Sequence, residues 1–191
     1  MNDALVKEEL LPKEQLLWLG QPDTGTNFSQ ADILVAPLSV LLAVMAFFWA
    51  ASVLGVGALG DHTKPVSVPL GIFAVLVALL SFYLMVGRFL YKTWKKGRTY
   101  YAVTTKRVLV VTDGRRKSVR GQDLAQLSFI EKQQGAGKRG SLIFGSLPFG
   151  LAYYANSGLE IFGAGGTVAF FDLLDVEGVH QMIQKRKEKL G

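Results

Sequence analysis

The stretch KKGRTYYAVTTKRVLVV, residues 95–111, begins as a cluster of positive charge and continues into a run rich in Tyr, Val and Thr. Aromatic and β-branched residues favour strands, so this run predicts a β-strand. Asp113-Gly114 follows, and this dipeptide between β-prone runs predicts a two-residue hairpin turn, with RRKSV as the returning strand. A strand-forming domain is therefore expected from residue 99, directly after a basic juxtamembrane linker at residues 88–98.

Two long apolar segments precede this domain. Residues 33–59 and 66–87 carry no charged side chain, and about 20 apolar residues are enough for a helix to cross the hydrocarbon core of a bilayer. Only GDHTKP, residues 60–65, separates them, so we expect an antiparallel transmembrane hairpin. A cleavable signal peptide is disfavoured, because a net-acidic stretch, residues 1–32, comes first and the apolar run is too long.

Positive charge is unevenly placed around these segments. The turn at residues 60–65 offers Lys64 as its one Lys or Arg, whereas five such residues follow the second span. By the positive-inside rule, both termini are expected in the cytoplasm and the turn outside. The sequence thus predicts a multi-pass protein of the cell inner membrane, with residues 1–32 as a cytoplasmic segment. The basic residues that follow the second span are Arg88, Lys92, Lys95, Lys96 and Arg98.

Small residues recur every three or four positions in both apolar segments. This spacing places each set on one helix face, and small side chains let helices in lipid approach closely. We interpret the two stripes as the packing seam of the hairpin, although alanine and glycine are common in such helices. The positions are Ser39, Ala43, Ala46 and Ala50 in the first span, and Gly71, Ala74, Ala78 and Ser81 in the second.

The rest of the chain predicts a small sheet or barrel and one helix. Further strand candidates are LAQLSFIEK (124–132), SLIFG (141–145), GLEIFG (158–163) and TVAFFD (167–172), with Gly-rich turns between them. Asp172 or Asp175 can cap a final helix, in which Val176, Val179 and Ile183 repeat at helical spacing. The fold class expected is therefore α+β, with a two-helix membrane anchor.

These residues carry a resemblance to a known family. YYAVTTKRVLVV is similar to the signature strand of bacterial pleckstrin-homology-like (PH-like) membrane proteins, in which a Tyr-x-(Leu/Val)-Thr-x-x-Arg-(Leu/Val) motif follows a two-helix membrane hairpin. EQLLWLGQP (14–22) resembles the segment that precedes the hairpin in that family. The motif positions are Tyr101, Val103, Thr104, Arg107 and Val108, and a later run matches as Phe171, Leu174, Asp175 and Val179 or nearby positions.

The resemblance implies a split, strongly bent β-sheet or barrel capped by one C-terminal helix. Residues 99–191 would form this PH-like domain, held in the cytoplasm against the inner leaflet. GSLPFGLAYYANSG (145–158) departs from the family pattern, being longer and more apolar than a family turn. It could lie on the membrane or pack on the hairpin.

Catalytic, cofactor and metal sites are not expected. The chain has no cysteine, and its two histidines, His62 and His180, fall on opposite sides of the bilayer in this topology. GAGKRGS (135–141) lacks the first glycine and the Ser or Thr that a phosphate-binding P-loop requires. No metal-ligand spacing is present, and neither span contains an ionisable residue.

Basic residues around the predicted hairpin turn point to lipid. Anionic headgroups attract each nearby Lys or Arg by about 1 kcal/mol. The alternative is a solvated, charged hairpin with no dedicated ligand. Nucleic acid is not expected, because a tethered domain would meet headgroups first. The predicted lipid-binding set is Lys106, Arg107, Arg115, Arg116, Lys117 and Arg120.

Together these features predict a non-enzymatic module for recruitment or scaffolding at the inner leaflet. It would contact membrane lipid and a protein partner that the sequence does not identify. The sequence is also compatible with a homo-oligomer. The alternative is a small structural subunit of a membrane transport or secretion complex, with the transmembrane hairpin as its interface.

Overall fold

The computed structural model describes residues 3–25, 32–54, 68–114, 116–135, 137–145, 156 and 168–190. The chain divides into two compact units, one formed by Phe28–Tyr91 and the other by Met1–Asn27 together with Lys92–Gly191. The helices are α1 (Asp3–Lys7), α2 (Asp32–Leu54), α3 (Val68–Phe82), α4 (Arg88–Lys96) and α5 (Val176–Glu188). The strands are β1 (Leu16–Gly20), β2 (Thr99–Thr104), β3 (Arg107–Thr112), β4 (Ser118–Asp123), β5 (Ile130–Gln134), β6 (Gly140–Phe144) and β7 (Ala169–Leu173).

The first unit, Phe28–Tyr91, is called the hairpin unit and contains a pair of antiparallel helices, α2 and α3. Asp32, at the start of α2, bonds to Arg88, which follows α3, and the ring of Trp49 meets that of Phe73 at 5.5 Å. A π-helical turn, Tyr83–Gly87, joins α3 to α4, so one helical run extends over Val68–Lys96. By length and composition this run and Asp32–Val53 are both able to cross a membrane. The predicted outer turn, residues 60–65, lies outside the described residues.

The small residues of the predicted seam are buried or partly buried in this unit. Ser39, Ala46, Ala50, Ala74 and Ser81 are buried. Ala43, Gly71 and Ala78 are partly buried. The large apolar side chains point away from the seam, as the exposure of Phe47, Leu79 and their neighbours shows. In water such an apolar surface would be unfavourable, whereas in lipid it would be matched by its surroundings.

The second unit, called the β unit, is a two-sheet β structure closed by a helix. One sheet has the order β1-β2-β3-β4 and the other β5-β6-β7, all antiparallel. Tyr101 and Val103 of the first sheet share a core with Phe170 of the second and with Val179 and Ile183 of α5. Tyr101 stacks on Phe170 at 4.7 Å between ring centroids, and its hydroxyl accepts a hydrogen bond from the Phe171 N–H. The predicted mixed α+β composition is thus confirmed.

The N-terminal segment forms part of the β unit. Strand β1 pairs with β2, although the whole hairpin unit lies between them in the chain. Helix α1 covers the other face of the first sheet, where Val6 packs with Ala102, Leu109 and Val111. Residues 1–32 are predicted above as a cytoplasmic segment, and the part up to Asn27 forms one compact unit with Lys92–Gly191.

The predicted single strand in YYAVTTKRVLVV was wrong, because the chain reverses inside it. Tyr101 pairs with Val110, so β2 and β3 are two strands joined at Thr105 and Lys106. The two-residue Asp113-Gly114 turn was also wrong. Thr112 pairs with Ser118, and the Asp113 N–H donates to the Arg98 carbonyl at 2.8 Å, which keeps Asp113 aligned with β2 rather than at a turn apex.

One further boundary differs from expectation. The segment after β4 becomes a strand only at Ile130, because Leu124 and Leu127 enter the core from a turn. Phe170 and Leu173 are the core residues near the chain end, whereas Leu174 is 59% exposed. Asp175 is the residue that caps α5, accepting a hydrogen bond from the Gly178 N–H. The predicted strand at residues 158–163 lies outside the described residues.

Candidate functional site

A buried carboxylate organises the signature motif. Glu14 is fully enclosed and accepts hydrogen bonds from Thr104 Oγ1 at 2.6 Å and from the Leu11 N–H at 2.7 Å. Arg107 approaches side-on, with Nε at 3.1 Å from Oε1 and Nη2 at 3.2 Å from Oε2. Burial raises the pKa of Glu14, but these hydrogen bonds outweigh it and hold the pKa below its ordinary value.

Thr104 also explains why the chain turns here. Its Oγ1 accepts hydrogen bonds from the N–H groups of Lys106 and Arg107, at 3.2 and 2.9 Å. These bonds offer the backbone a local alternative to continuing the strand. The motif spacing Thr-x-x-Arg is therefore the spacing of a turn, and it brings both side chains to the same carboxylate.

The two chain connections to the hairpin unit meet at one residue of the β unit, Asp172. Lys96, where the chain returns, pairs with the Asp172 carboxylate at 2.7 Å and is only 4% exposed. Asp23, where the chain leaves, donates its N–H to the Asp172 carbonyl at 2.8 Å. Asn156 donates to the same carboxylate at 2.6 Å. Asp172 has a φ of 54°, a left-handed value that Asp tolerates better than most residues.

The charge asymmetry of the sequence corresponds to a pattern of ion pairs. Acids before residue 33 pair with bases after residue 87. These pairs neutralise four of the basic residues after residue 87. The pairs are Glu14 with Arg107, Glu8 and Glu9 with Lys117, Asp23 with Arg139, and Asp32 with Arg88.

The predicted lipid-binding residues do not form one cluster. Lys106 and Arg107 lie at one end of the β3–β4 hairpin and Arg116 and Lys117 at the other, roughly 17 Å apart at 3.3 Å per residue along the strand. Arg120 sits mid-strand, opposite Val110. Arg115 lies outside the described residues.

Of this set, Arg116 and Arg120 are exposed and form no ion pair within the described chain. Lys117 bonds to Glu9 and Glu8, which raises its pKa above the ordinary value. Arg107 is held by Glu14. The loop that carries Arg116 lies at the same end of the sheet as Arg98 and Trp94, because Gly114 approaches the Trp94 ring.

The juxtamembrane bases differ sharply in exposure. Arg88, Lys92 and Lys96 recur every four residues along α4 and all three are buried. Arg88 bonds to Asp32 at 2.5 Å through Nη1, while its Nε and Nη2 have no hydrogen-bond partner in the described structure. Leu90 and Trp94, in contrast, are exposed. Arg98 stacks on the Trp94 ring at 4.5 Å, and Lys95 is partly exposed.

Among the described residues no group of three or more His, Asp or Glu side chains could hold a metal ion. The functional residues that sequence reasoning missed are Glu14, Asp23 and Lys96 as pairing partners. A single acid directly before a β-prone run, as in EQLLWLG, is the one local signal that could have drawn attention to Glu14. Comparison of the chain with protein-family models, curated proteins and solved structures finds no match.

Proposed function

We propose that this protein is a membrane-anchored, non-enzymatic recruitment or scaffolding module of PH-like type, working at the cytoplasmic face of a bacterial inner membrane. The observation that carries the proposal is the insertion of the apolar hairpin between β1 and β2. Both segments that connect the hairpin to the β unit bond to Asp172, so the β unit would be held at the membrane through two linked chain segments, where a terminal anchor would supply one.

The arrangement of strands and helix in the β unit supports the proposal that this unit is of PH-like type. The resemblance implies a split, bent sheet capped by a C-terminal helix, and the described unit has a four-stranded and a three-stranded sheet with α5 against their common core. The motif residues Tyr101, Thr104 and Arg107 each have a defined role in this unit, which favours the resemblance over a chance match.

Contact with anionic lipid is proposed for the loop Asp113–Lys117. This loop lies at the end of the first sheet where the chain passes to and from the hairpin unit, since Thr112 pairs with Thr99. Arg116 is exposed there and has no ion-pair partner in the described chain, so it would be available to headgroups.

Site-specific labels test this placement. The chain has no cysteine, so Arg116→Cys and Lys106→Cys can each carry one fluorophore in the full-length protein in nanodiscs. Nitroxide on the lipid headgroups should quench the label at 116 strongly and the label at 106 weakly. Anionic lipid should strengthen the effect at 116. Equal quenching at both positions, or stronger quenching at 106, would contradict the proposal.

One observation favours the alternative of a structural subunit. A groove of about 400 Å³ runs along the hairpin, with Ala43, Ala50, Ala78 and Phe82 among its lining residues. Replacing both helices with an unrelated apolar hairpin separates the two functions. A recruitment module would retain its partner, whereas a subunit that packs through its hairpin would lose it.

A further inference from the structure

Three separate segments of the β unit converge on Thr105. The Thr105 N–H donates to the Gln15 carbonyl at 2.9 Å, and the Gln15 N–H donates to Thr105 Oγ1 at 3.1 Å. Arg186 Nε, from the end of α5, donates to the Thr105 carbonyl at 3.0 Å. The N-terminal segment, the β2–β3 turn and the last turns of α5 therefore share one surface, which we call the Thr105 surface.

This surface is rich in positive charge that nothing in the described chain neutralises. Lys13 lies two residues before Gln15, Lys106 directly follows Thr105, and Arg186 bonds to Thr105 from a helix end that also carries Lys185, Lys187 and Lys189; none of these six cations has a carboxylate partner among the described residues. The helix dipole accounts for the bases in the last turn of α5. It does not account for Lys13 and Lys106, which are brought there from other parts of the chain.

A polar cavity adjoins these cations. The Leu124 N–H donates to the Lys106 carbonyl at 2.9 Å, which places the end of β4 beside the turn. The cavity, of about 230 Å³, is lined by Arg107, Gly121, Gln122, Asp123 and Gln126. The side-chain amides of Gln122 and Gln126 can each donate and accept, as peptide groups do. Asp123 can accept an N–H but repels phosphate.

We propose that the Thr105 surface docks an acidic peptide segment of a cytoplasmic protein. Acidic side chains would meet the lysines, while the peptide backbone would bond to the amides and the carboxylate of the cavity. This inference rests on the proposed recruitment function and names the class of partner. Strand β2 separates the surface from Thr99 by roughly 17 Å, so the surface lies away from the anchor connections, and Asp123 disfavours a nucleic-acid backbone.

Binding of a fluorescein-labelled Glu-rich peptide to the full-length protein in neutral phosphatidylcholine nanodiscs tests the proposal. The variant Lys13→Glu, Lys106→Glu, Lys189→Glu takes one exposed cation from each segment. The matched control, Lys7→Glu, Arg120→Glu, Lys138→Glu, makes the same change in net charge at exposed cations elsewhere. The first variant should bind the peptide about tenfold more weakly, and the control should bind within about twofold of the wild type.

A second pair of variants tests the cavity. Gln122→Ala with Gln126→Ala should weaken peptide binding several-fold without changing its salt dependence, because no charge is removed. Gln133→Ala with Gln134→Ala, on β5, is the matched control and should have no effect. Equal loss in both triple charge variants, or no effect of the cavity variant, would overturn the proposal.

Competition identifies any other occupant. If duplex DNA or phosphatidylglycerol vesicles displace the peptide and depend on the same three lysines more strongly than the peptide does, the proposal is overturned in favour of that ligand. The label at position 116 keeps the two proposals distinguishable. Headgroup quenching there with no peptide binding would remove this inference and leave the proposed function.

Discussion

Glu14 and Arg107 are 93 positions apart, yet they form a two-pronged ion pair at 3.1 and 3.2 Å inside the β unit. The hairpin unit lies between them in the chain. The same carboxylate takes a hydrogen bond from Thr104, and Arg107 also donates to the Glu9 carbonyl at 2.7 Å. The pair therefore ties the segment that precedes the hairpin unit in the chain to the segment that follows it.

Removing the charge of Glu14 should destabilise the β unit. In Glu14→Gln the charge that faces Arg107 is lost, and the oxygen that accepts from Arg107 Nη2 and the Leu11 N–H becomes an NH2 group that cannot accept, at a cost of about 2–4 kcal/mol in the free energy of unfolding. Thermal unfolding in detergent, followed by circular dichroism, would measure the loss. Glu8→Gln is the control, because its pair with Lys117 is exposed to solvent and its removal should leave the free energy of unfolding nearly unchanged. Similar losses in both variants would contradict the assigned role of Glu14.

The stabilisation from Glu14 should depend on pH in a defined direction. Its pKa in the folded state lies below the ordinary value of 4.5, so the folded state favours the charged form. The contribution is thus present above the unfolded-state pKa and is lost as the pH falls through the folded-state pKa. The difference in unfolding free energy between wild type and Glu14→Gln should be constant near neutral pH and shrink below about pH 4.5. A difference that grows on acidification would show that the sign is wrong.

Much of the fold could be predicted because its signals are local. The apolar spans are uninterrupted by charge, and α5 combines helical spacing with a cap at Asp175. The pairing of β1 with β2 could not be predicted in this way. It joins segments on either side of a complete hairpin, and no periodicity within Leu16–Gly20 identifies the strand it will meet.

The turn at Thr105 and Lys106 was missed for a different reason. It contains no Gly, Pro, Asn or Asp, the residues by which turns are usually recognised. The chain turns there because Thr104 accepts hydrogen bonds from the N–H groups of Lys106 and Arg107 and donates one to Glu14, a residue distant in sequence. A tertiary contact thus decided a local structure. The separation of Lys106 and Arg107 from Arg116 has a different cause, which is the length of strand β3 between them.

Asp172 and Asp175 allow one chemical change to be compared in two environments. Asp172→Asn removes the negative charge that lies 2.7 Å from the buried ammonium of Lys96, and should cost about 2–4 kcal/mol. Asp175→Asn is the matched control, since Asn caps a helix about as well as Asp and should change stability by under about 0.5 kcal/mol. Asn also tolerates the left-handed φ of Asp172, so backbone strain does not enter the comparison. Thermal unfolding of both variants, side by side, measures the contrast, and equal stability would show that the Lys96 pair is dispensable.

Gly140 should be intolerant of any side chain. A Cβ there would lie 2.4 Å from the Gln133 carbonyl oxygen and 2.9 Å from Val176 Cγ1. Either β6 must move away from β5 or the start of α5 must shift, so Gly140→Ala should lower the free energy of unfolding by about 1–3 kcal/mol. Gly135→Ala is the control, because its Cβ would meet only the Arg139 carbonyl oxygen at 3.6 Å, an ordinary contact, and should cost under about 0.5 kcal/mol. Comparable stability of the two variants in thermal unfolding would mean that β5, β6 and α5 are not packed as closely as described.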